Sequence, residues 1–371
     1  MKTEFDSMRC VLILLTIAQL IACGGGADDV SVAAPSCDPT PSPVKWTQEI
    51  GTGPWRARDS AAELIFNGRM WLMGGWFDSY QPTPQDVWSS ADGLSWQLVA
   101  APAPWTHGDL AAAVNHQGRM WLLGGWGGGR LPGASASNEV WASADGANWQ
   151  YVTRAAWSPR VGAAAVEFKN RIWVLGGVDN YYYGDATSLH NDVWSSSDGV
   201  NWAEELHHAP WRARAYHGAF VFDNKLWVVG GGNYTPGYLA LNDVWSSDDG
   251  INWHEETSAA PWAARIWFST AVYRGYMWVI GGWSNDPYTN WGDTWYSRDG
   301  RTWTRLQSTT NWQARHEHST YVFDDRLWVV GGFAAPLTND AWSLQLPADW
   351  VGGCPLAAKQ GNHGTHSRVH S

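Results

Sequence analysis

The chain reads as an all-β, six-bladed β-propeller of four-stranded blades, and three observations predict it. First, Leu226-Trp227-Val228-Val229-Gly230-Gly231 ends in a glycine pair that returns five more times, at Gly74-Gly75, Gly124-Gly125, Gly176-Gly177, Gly281-Gly282 and Gly331-Gly332. The first glycines stand 50, 52, 54, 51 and 50 residues apart. A fixed period near 50 built from short strands marks a radial array rather than unrelated domains. Second, 24 of the 30 tryptophans in the 371 residues fall at four fixed places in six repeats. Third, a spare outer strand at the N-terminal end matches the one slot left open in the last repeat, which closes a ring without an exposed sheet edge.

Residues 1–22 are read as a targeting segment and set aside from the fold. Arg9 precedes an apolar run from Val11 to Ala22, broken only by Thr16 and Gln19 and too short to span a bilayer. Glu4 and Asp6 lie upstream, so Met8 is an alternative start to Met1. The run ends in Leu20-Ile21-Ala22-Cys23, which resembles the lipobox of bacterial lipoproteins. That resemblance implies lipidation of Cys23 and anchoring by acyl chains rather than by a helix. Gly24 at the next position implies the outer membrane, with the leaflet left open. Residues 23–45, rich in Gly, Ala, Pro, Ser and Asp, read as a flexible tether. Cys37 and Cys354 are then the remaining mature cysteines, and an exported compartment permits their pairing. Closing a loop of 354 − 37 = 317 residues is worth about 5–6 kcal/mol in the chain-entropy model. Two free thiols are the alternative.

The propeller is expected over 46–354. Each repeat runs Trp, about nine residues, Pro-Trp-x-Ala-Arg or a variant, a strand of small residues, the Gly-Gly strand, a variable loop, Asn/Asp-Val-Trp-Ser and Asp-Gly-x-x-Trp. Aromatic-rich runs of four to eight residues bounded by Gly, Asp and Asn are strand signals. Asp92, Asp145, Asp198, Asp249 and Asp299, each before a glycine, are read as hairpin-turn residues. The sixth repeat lacks a clear outer strand, and Trp46 to Ile50 is predicted to supply it. Trp350 competes for the slot, but Pro347 breaks the approach. Residues 355–371 read as a disordered tail. A formal charge of −11 disfavours nucleic acid as a partner.

The Gly-Gly strands, the arginine before each inner strand and the tryptophans after the glycine pairs resemble kelch-repeat propellers, from Trp46 to about Leu346. The fold that resemblance implies hosts adaptors, oxidases and sugar isomerases, so it says little about function. Ser297 to Trp303 also resembles a shortened Asp-box of sialidases, a turn at blade rims. A copper radical site like that of galactose oxidase is not expected, because no cysteine lies between Cys37 and Cys354 to cross-link a tyrosine.

Three groups are candidates for chemistry. Trp76, Trp126 and Trp283 follow glycine pairs and enter variable loops near Phe77, Tyr80, Tyr181, Tyr182, Tyr183, Tyr234, Tyr288, Trp291 and Phe333. In kelch propellers those loops share one face with the segments before the inner strands, and an aromatic face suits sugar rings or a protein partner. The assignment fails if these tryptophans are buried between blades. Arg58, Arg160, Arg214, Arg265 and Arg315 start five inner strands, and Gly108 replaces the sixth. They are read equally as a carboxylate-binding circle at the channel mouth or as internal ion pairs, with Asp59 and Asp109 as partners. Arg315-His316-Glu317-His318 places both imidazoles on one side of a regular strand, near His217 and Tyr216, a spacing able to hold a metal. No metal or other cofactor is expected on balance.

The leading expectation is a lipid-anchored, monomeric propeller of the cell envelope that binds a glycan or a protein through its loop-rich face. A second is a sugar enzyme similar to kelch-type sialic-acid mutarotases. Glu317, Asp59 or Asp109 would be its base, and Arg214 and Arg315 would hold a carboxylate. A third is a structural envelope protein without a site.

Overall fold

The computed structural model describes residues 44–181, 187–234, 239–348 and 350. Residues 1–22, expected to be a targeting segment, Cys23, Cys37, Cys354, Tyr182, Tyr183 and residues 355–371 lie outside the described residues. The described chain is built from β-strands, arranged as six four-stranded antiparallel sheets and two small two-stranded ones.

Blade 1 comprises Ala62–Phe66, Arg69–Met73, Val87–Ser90 and Trp96–Ala100, and blade 2 comprises Ala112–His116, Arg119–Leu123, Glu139–Ser143 and Gln150–Arg154. Blade 3 is Ala164–Phe168, Arg171–Val178, Leu189–Ser196 and Ala203–Leu206. Blade 4 is Gly218–Phe222, Lys225–Asn233, Leu239–Ser247 and Trp253–Thr257. Blade 5 is Ser269–Tyr273, Tyr276–Ile280, Thr294–Ser297 and Thr304–Arg305. Blade 6 is Ser319–Phe323, Arg326–Phe333, Leu337–Leu344 and, as its outer strand, Trp46–Ile50. Trp46 pairs with Leu344 and Thr47 with Ser343, so the predicted closure holds.

Second strands are sandwiched within and between blades, which is why they read as continuous apolar runs. In blade 5 every residue of Tyr276–Ile280 is buried. The tryptophans tie this framework together. Second-strand indoles donate to the carbonyl five residues back, as Trp173 does to Phe168 at 2.9 Å. Outer-strand indoles cap the Asp-Gly turn, as Trp149 does with Gly146 at 2.9 Å. The Pro-Trp rings stand edge-on to the outer-strand rings in every blade, including Trp312 on Trp46. The turn aspartates behave as read from sequence: at Asp249 burial raises the carboxyl, but bonds from the Asn252 and Ile251 amides together outweigh it and hold the group at about 2.

Each such turn of blades 2 to 5 lies against the second-strand tryptophan of the preceding blade, as Gly250 does on Trp173, and Gly93 lies on Trp328. Blade 6 has no such turn, because its outer strand comes from the other end of the chain. Trp350 takes that place, stacking on Trp278 at 5.9 Å.

The arginines are internal ion pairs. Arg265 is buried, with Nη1 on Asp293 Oδ1 at 2.6 Å and on Gly281 O at 2.7 Å, Nη2 on Asp293 Oδ2 at 3.1 Å and Nε on Ala263 O at 2.9 Å. Arg58 pairs likewise with Asp86, Arg160 with Asp192, Arg214 with Asp243 and Arg315 with Asp340. The partner is the residue two before the third-strand tryptophan, which bonds the same carboxylate. It is not Asp59 or Asp109. With each guanidinium nitrogen bonded to the blade's own groups, Arg58, Arg160, Arg214, Arg265 and Arg315 take the second of the two roles expected of them, internal ion pairs, rather than a carboxylate-binding circle open at the mouth. In blade 2, Gly108 removes the arginine, and Glu139 in the acid's place pairs with exposed Arg154 instead.

Two circles of backbone hydrogen bonds join the blades. The second glycine of each pair donates to the carbonyl of the arginine position in the next blade, from Gly75 to Gly108 at 2.8 Å around to Gly332 to Arg58 at 2.9 Å. A side chain on Gly75 would meet Asp59 O at 2.4 Å, and its φ is +98°, so only glycine fits. The inner circle runs Ser60 to Glu317, Glu317 to Trp267, Trp267 to Tyr216, Tyr216 to Gly162, Gly162 to Leu110 and Leu110 to Ser60, each N–H donating to the next named carbonyl at 2.8–3.3 Å. All six residues have φ between 50° and 62°.

Candidate functional site: the axial chamber at the loop-rich mouth

The inner circle divides the axial channel. The chain crosses it at the second residue after each arginine position, so the residue before lies on the mouth side and the residue after lies beyond. The residue before also forms a two-way bridge with the residue after the Gly-Gly pair: Asp59 with Trp76, Asp109 with Trp126, Val161 with Val178, Ala215 with Gly232, Ile266 with Trp283 and His316 with Phe333. Six blades thereby present two positions each at the mouth, with the glycine Gly232 at one of them, and the repeat's geometry needs neither to be of a given type.

These variable positions make a two-sided site. Blades 6, 1 and 2, contiguous around the axis, contribute His316, Glu317, Asp59, Ser60 and Asp109. Blades 3, 4 and 5 contribute Gly162, Tyr216, Trp267, Trp283 and aliphatic residues. The chamber has a volume of about 200 Å³, and Arg130, Tyr181, Tyr234 and Tyr288 from the loops complete its wall. Trp267 stacks on His316 at 5.1 Å and lies 5.5 Å from Trp283, and Tyr234 stands 4.8 Å from Trp267.

At the polar side, His316 Nδ1 contacts Asn290 Oδ1 at 2.6 Å, and Asn290 Nδ2 donates to Phe333 O at 3.1 Å. That second bond fixes the amide's orientation, so Nδ1 carries the hydrogen and Nε2 faces Glu317 Oε2 at 3.2 Å. Asp59 accepts from Ser60 Oγ at 3.1 Å. Burial, then the charges of Glu317 and Asp109, push the Asp59 carboxyl well above the usual carboxylate range. Burial and Glu317 do the same to Asp109, whose oxygens have no hydrogen-bond partner of normal geometry among the described residues. In both, burial acts against the charged form. Tyr181 is likewise raised by burial and by the same carboxylates.

Of the sequence candidates, Asp59, Glu317, His316, Trp76 and Trp283 come together at the chamber; Tyr216 lines the neighbouring cavity, and Asp109 is fully buried next to Ser60, within electrostatic reach of Glu317. Trp126 does not line it, and its N–H is bound to Gly129 O at 2.8 Å; Trp283 is buried as Trp126 is, but it lines the chamber, as does the more exposed Trp76. His217 and His318 lie beyond the inner circle. Each ring is wedged between a Pro-Trp ring and the neighbouring blade's Gly-Gly, the place that Phe268 fills in blade 5. Burial holds both imidazoles neutral, at about 3. His316 and His318 therefore do not share a side, because the left-handed turn at Glu317 breaks strand alternation. Trp267, Arg130 and Asn290 were not singled out from sequence. Trp267 occupies the same repeat position as Glu317 and Tyr216, so aligning repeats at that position finds it. Beyond the circle, a second cavity of about 190 Å³ holds Glu63, raised to about 8 by burial.

The family model described as the KLHDC2/KLHL20/DRC7 Kelch-repeats domain matches residues 111–332, more than half of the chain. No curated protein matches the sequence. With the six blades, their Gly-Gly strands and this match, the chain belongs to the kelch-repeat propellers.

Proposed function

We propose that the chain is a binding propeller that takes a sugar ring, free or at the end of a glycan, into the axial chamber of its loop-rich face. The observation that carries this reading is the division of the chamber into an aromatic side and a hydrogen-bonding side. A pyranose has the matching anatomy: an apolar face of axial C–H groups that stacks on Trp267, Trp283 or Tyr234, and an edge of hydroxyls. Asp59, His316 and Glu317, which line the chamber, can hydrogen-bond to those hydroxyls. The lipobox supports a location at the cell envelope, with lipidated Cys23 and the tether holding the propeller at the outer membrane. A Cys37–Cys354 disulfide remains part of that proposal.

Calorimetric titration of the full chain with neutral, uronic and sialic sugars tests the site. The expected result is binding of at least one sugar that Trp283→Ala or Trp267→Ala abolishes and Arg154→Ala leaves intact. Binding that survives both tryptophan changes, or no binding by any sugar, refutes it. A protein partner at the same loops would then take its place. Mass spectrometry of Cys23 checks the anchor, and an unmodified thiol in the native envelope refutes it.

One observation favours an enzymatic variant. His316, Glu317 and Asp59 form an acid–base group at the chamber's polar side, which is the equipment for proton transfer at an anomeric centre. Arg214 and Arg315 have no part in it, and Arg130 is the guanidinium lining the chamber. Anomer exchange that Glu317→Gln leaves unchanged rules this variant out.

A further inference from the structure

We propose that Asp59, His316 and Glu317 form a three-ligand site for one divalent first-row transition ion, with an open coordination position facing the mouth chamber. This departs from the sequence expectation of no metal, and it uses a different set of residues from the His316–His318 pair considered there. One donor atom from each of the three residues lies within 4.8 Å of the others. His316 Nε2 and Glu317 Oε2 are 3.2 Å apart. Two ligands at about 2.1 Å subtending a tetrahedral angle stand about 3.4 Å apart, so this pair needs little movement to share an ion.

Three further features support the assignment. Asn290 holds the hydrogen on His316 Nδ1, which leaves the Nε2 lone pair directed at the carboxylates. This is the outer-sphere arrangement typical of metal-binding histidines. Glu317 Oε1 is buried without a hydrogen-bond partner, while its other oxygen faces His316 Nε2. Finally, Glu317 occupies the left-handed position of the inner circle. That turn brings adjacent side chains to one point, where a regular strand would send them to opposite faces. The donor set of one nitrogen and two carboxylates suits zinc, manganese or ferrous iron. It offers too few oxygens for calcium, which takes six to eight, and no thiolate for cuprous ion. With three protein ligands, the remaining position is open to water or to a ligand oxygen in the chamber.

The test uses the full chain, stripped with a chelator, dialysed and titrated with zinc chloride by calorimetry. Cobaltous ion is then followed through its visible d–d absorption. The expected result is one ion per chain, with affinity lowered at least tenfold by His316→Gln and by the isosteric Glu317→Gln. Asn290→Ala, which removes only the orienting contact, is expected to weaken zinc by about 10–100-fold. Changing His363, His366 and His370 of the tail to alanine is expected to leave the affinity unchanged. Near-ultraviolet circular dichroism confirms that each variant is folded. Absence of uptake in the folded wild-type chain overturns the assignment. So does uptake that persists in folded His316→Gln and Glu317→Gln or disappears with the tail histidines. These readouts do not depend on whether a sugar binds.

Discussion

Replacing Arg265 by alanine isolates what the repeated arginine does. The side chain is buried and donates to four acceptor atoms: Asp293 Oδ1 at 2.6 Å and Oδ2 at 3.1 Å, Gly281 O at 2.7 Å and Ala263 O at 2.9 Å. Its removal leaves a largely buried carboxylate and two carbonyls without their donor. Losing one partner of such a pair costs about 3–5 kcal/mol. At about 2.1 cal/mol/K of unfolding entropy per residue, that corresponds to a melting temperature lower by about 5–8 °C for a propeller of roughly 300 residues. Arg154→Ala in blade 2 is the internal control, since its pair with Glu139 is two-thirds exposed on the arginine side and is worth under about 1 kcal/mol. Denaturant unfolding followed by near-ultraviolet circular dichroism measures both. The pH dependence carries a sign. Burial opposes ionisation of Asp293, but Arg265 outweighs it and holds the carboxyl below its ordinary value. The stability it contributes is present above the unfolded carboxylate range and is lost as pH falls through the lower folded value. The deficit of Arg265→Ala should therefore shrink in strong acid. A loss under about 1 kcal/mol at pH 7, or a loss of ligand binding without a loss of stability, would refute the structural role.

Three other outcomes are expected. Glu63 titrates at about 8 in the fold because it is buried, so the stability it confers as a neutral acid fades as pH rises from about 4.5 to about 8. Glu63→Gln should remove that slope and raise stability at pH 8.5 by up to about 3–4 kcal/mol, read from melting curves at pH 5 and 8.5. A methyl on Gly162 would meet the Tyr216 ring at 2.5 Å at a φ of +62°, so Gly162→Ala should cost about 2–4 kcal/mol and displace Tyr216 from Trp267. Unchanged melting and unchanged tyrosine fluorescence would contradict it. Trp350→Ala should cost about 2–3 kcal/mol by uncovering Trp278, with the largest hydrogen-exchange gain in blade 5, and protection left unchanged there would refute the capping role.

The blades were legible because each must solve the same packing problem, so Gly74-Gly75 and its copies, the four tryptophans and the Asp-Gly turns recur at fixed spacing. The closing strand was legible by subtraction, from the lack of a partner for Leu337–Leu344. At the arginines the sequence left a converging ligand circle and internal ion pairs equally open, and repetition in five blades is what an intrablade ion pair with Asp86, Asp192, Asp243, Asp293 or Asp340 requires. What the sequence did not supply was the acid, since Asp59 and Asp109 are not the partners. The site shows the opposite signature: Asp59, Asp109, His316, Glu317 and Trp267 stand where the repeats disagree. Their approach depends on the left-handed turns of the inner circle, which no strand periodicity encodes. Arg130, Tyr181 and Tyr234 enter from loops of unequal length, and spacing alone does not place them.

The strand Trp46–Ile50 also imposes a wait. It is the first strand of the propeller to be made, and its partner, Leu337–Leu344, is the last. At roughly 5–20 residues per second of synthesis, the two are separated by about 15–60 s. Throughout that interval the earliest strand has no native neighbour, and blade 6 has no template for its outer edge. A chain that emerges tail-last thus reaches its native state in a single late event. Anything that holds Trp46 back, whether a chaperone, an export channel or a nearby membrane, acts as a timer on the whole ring.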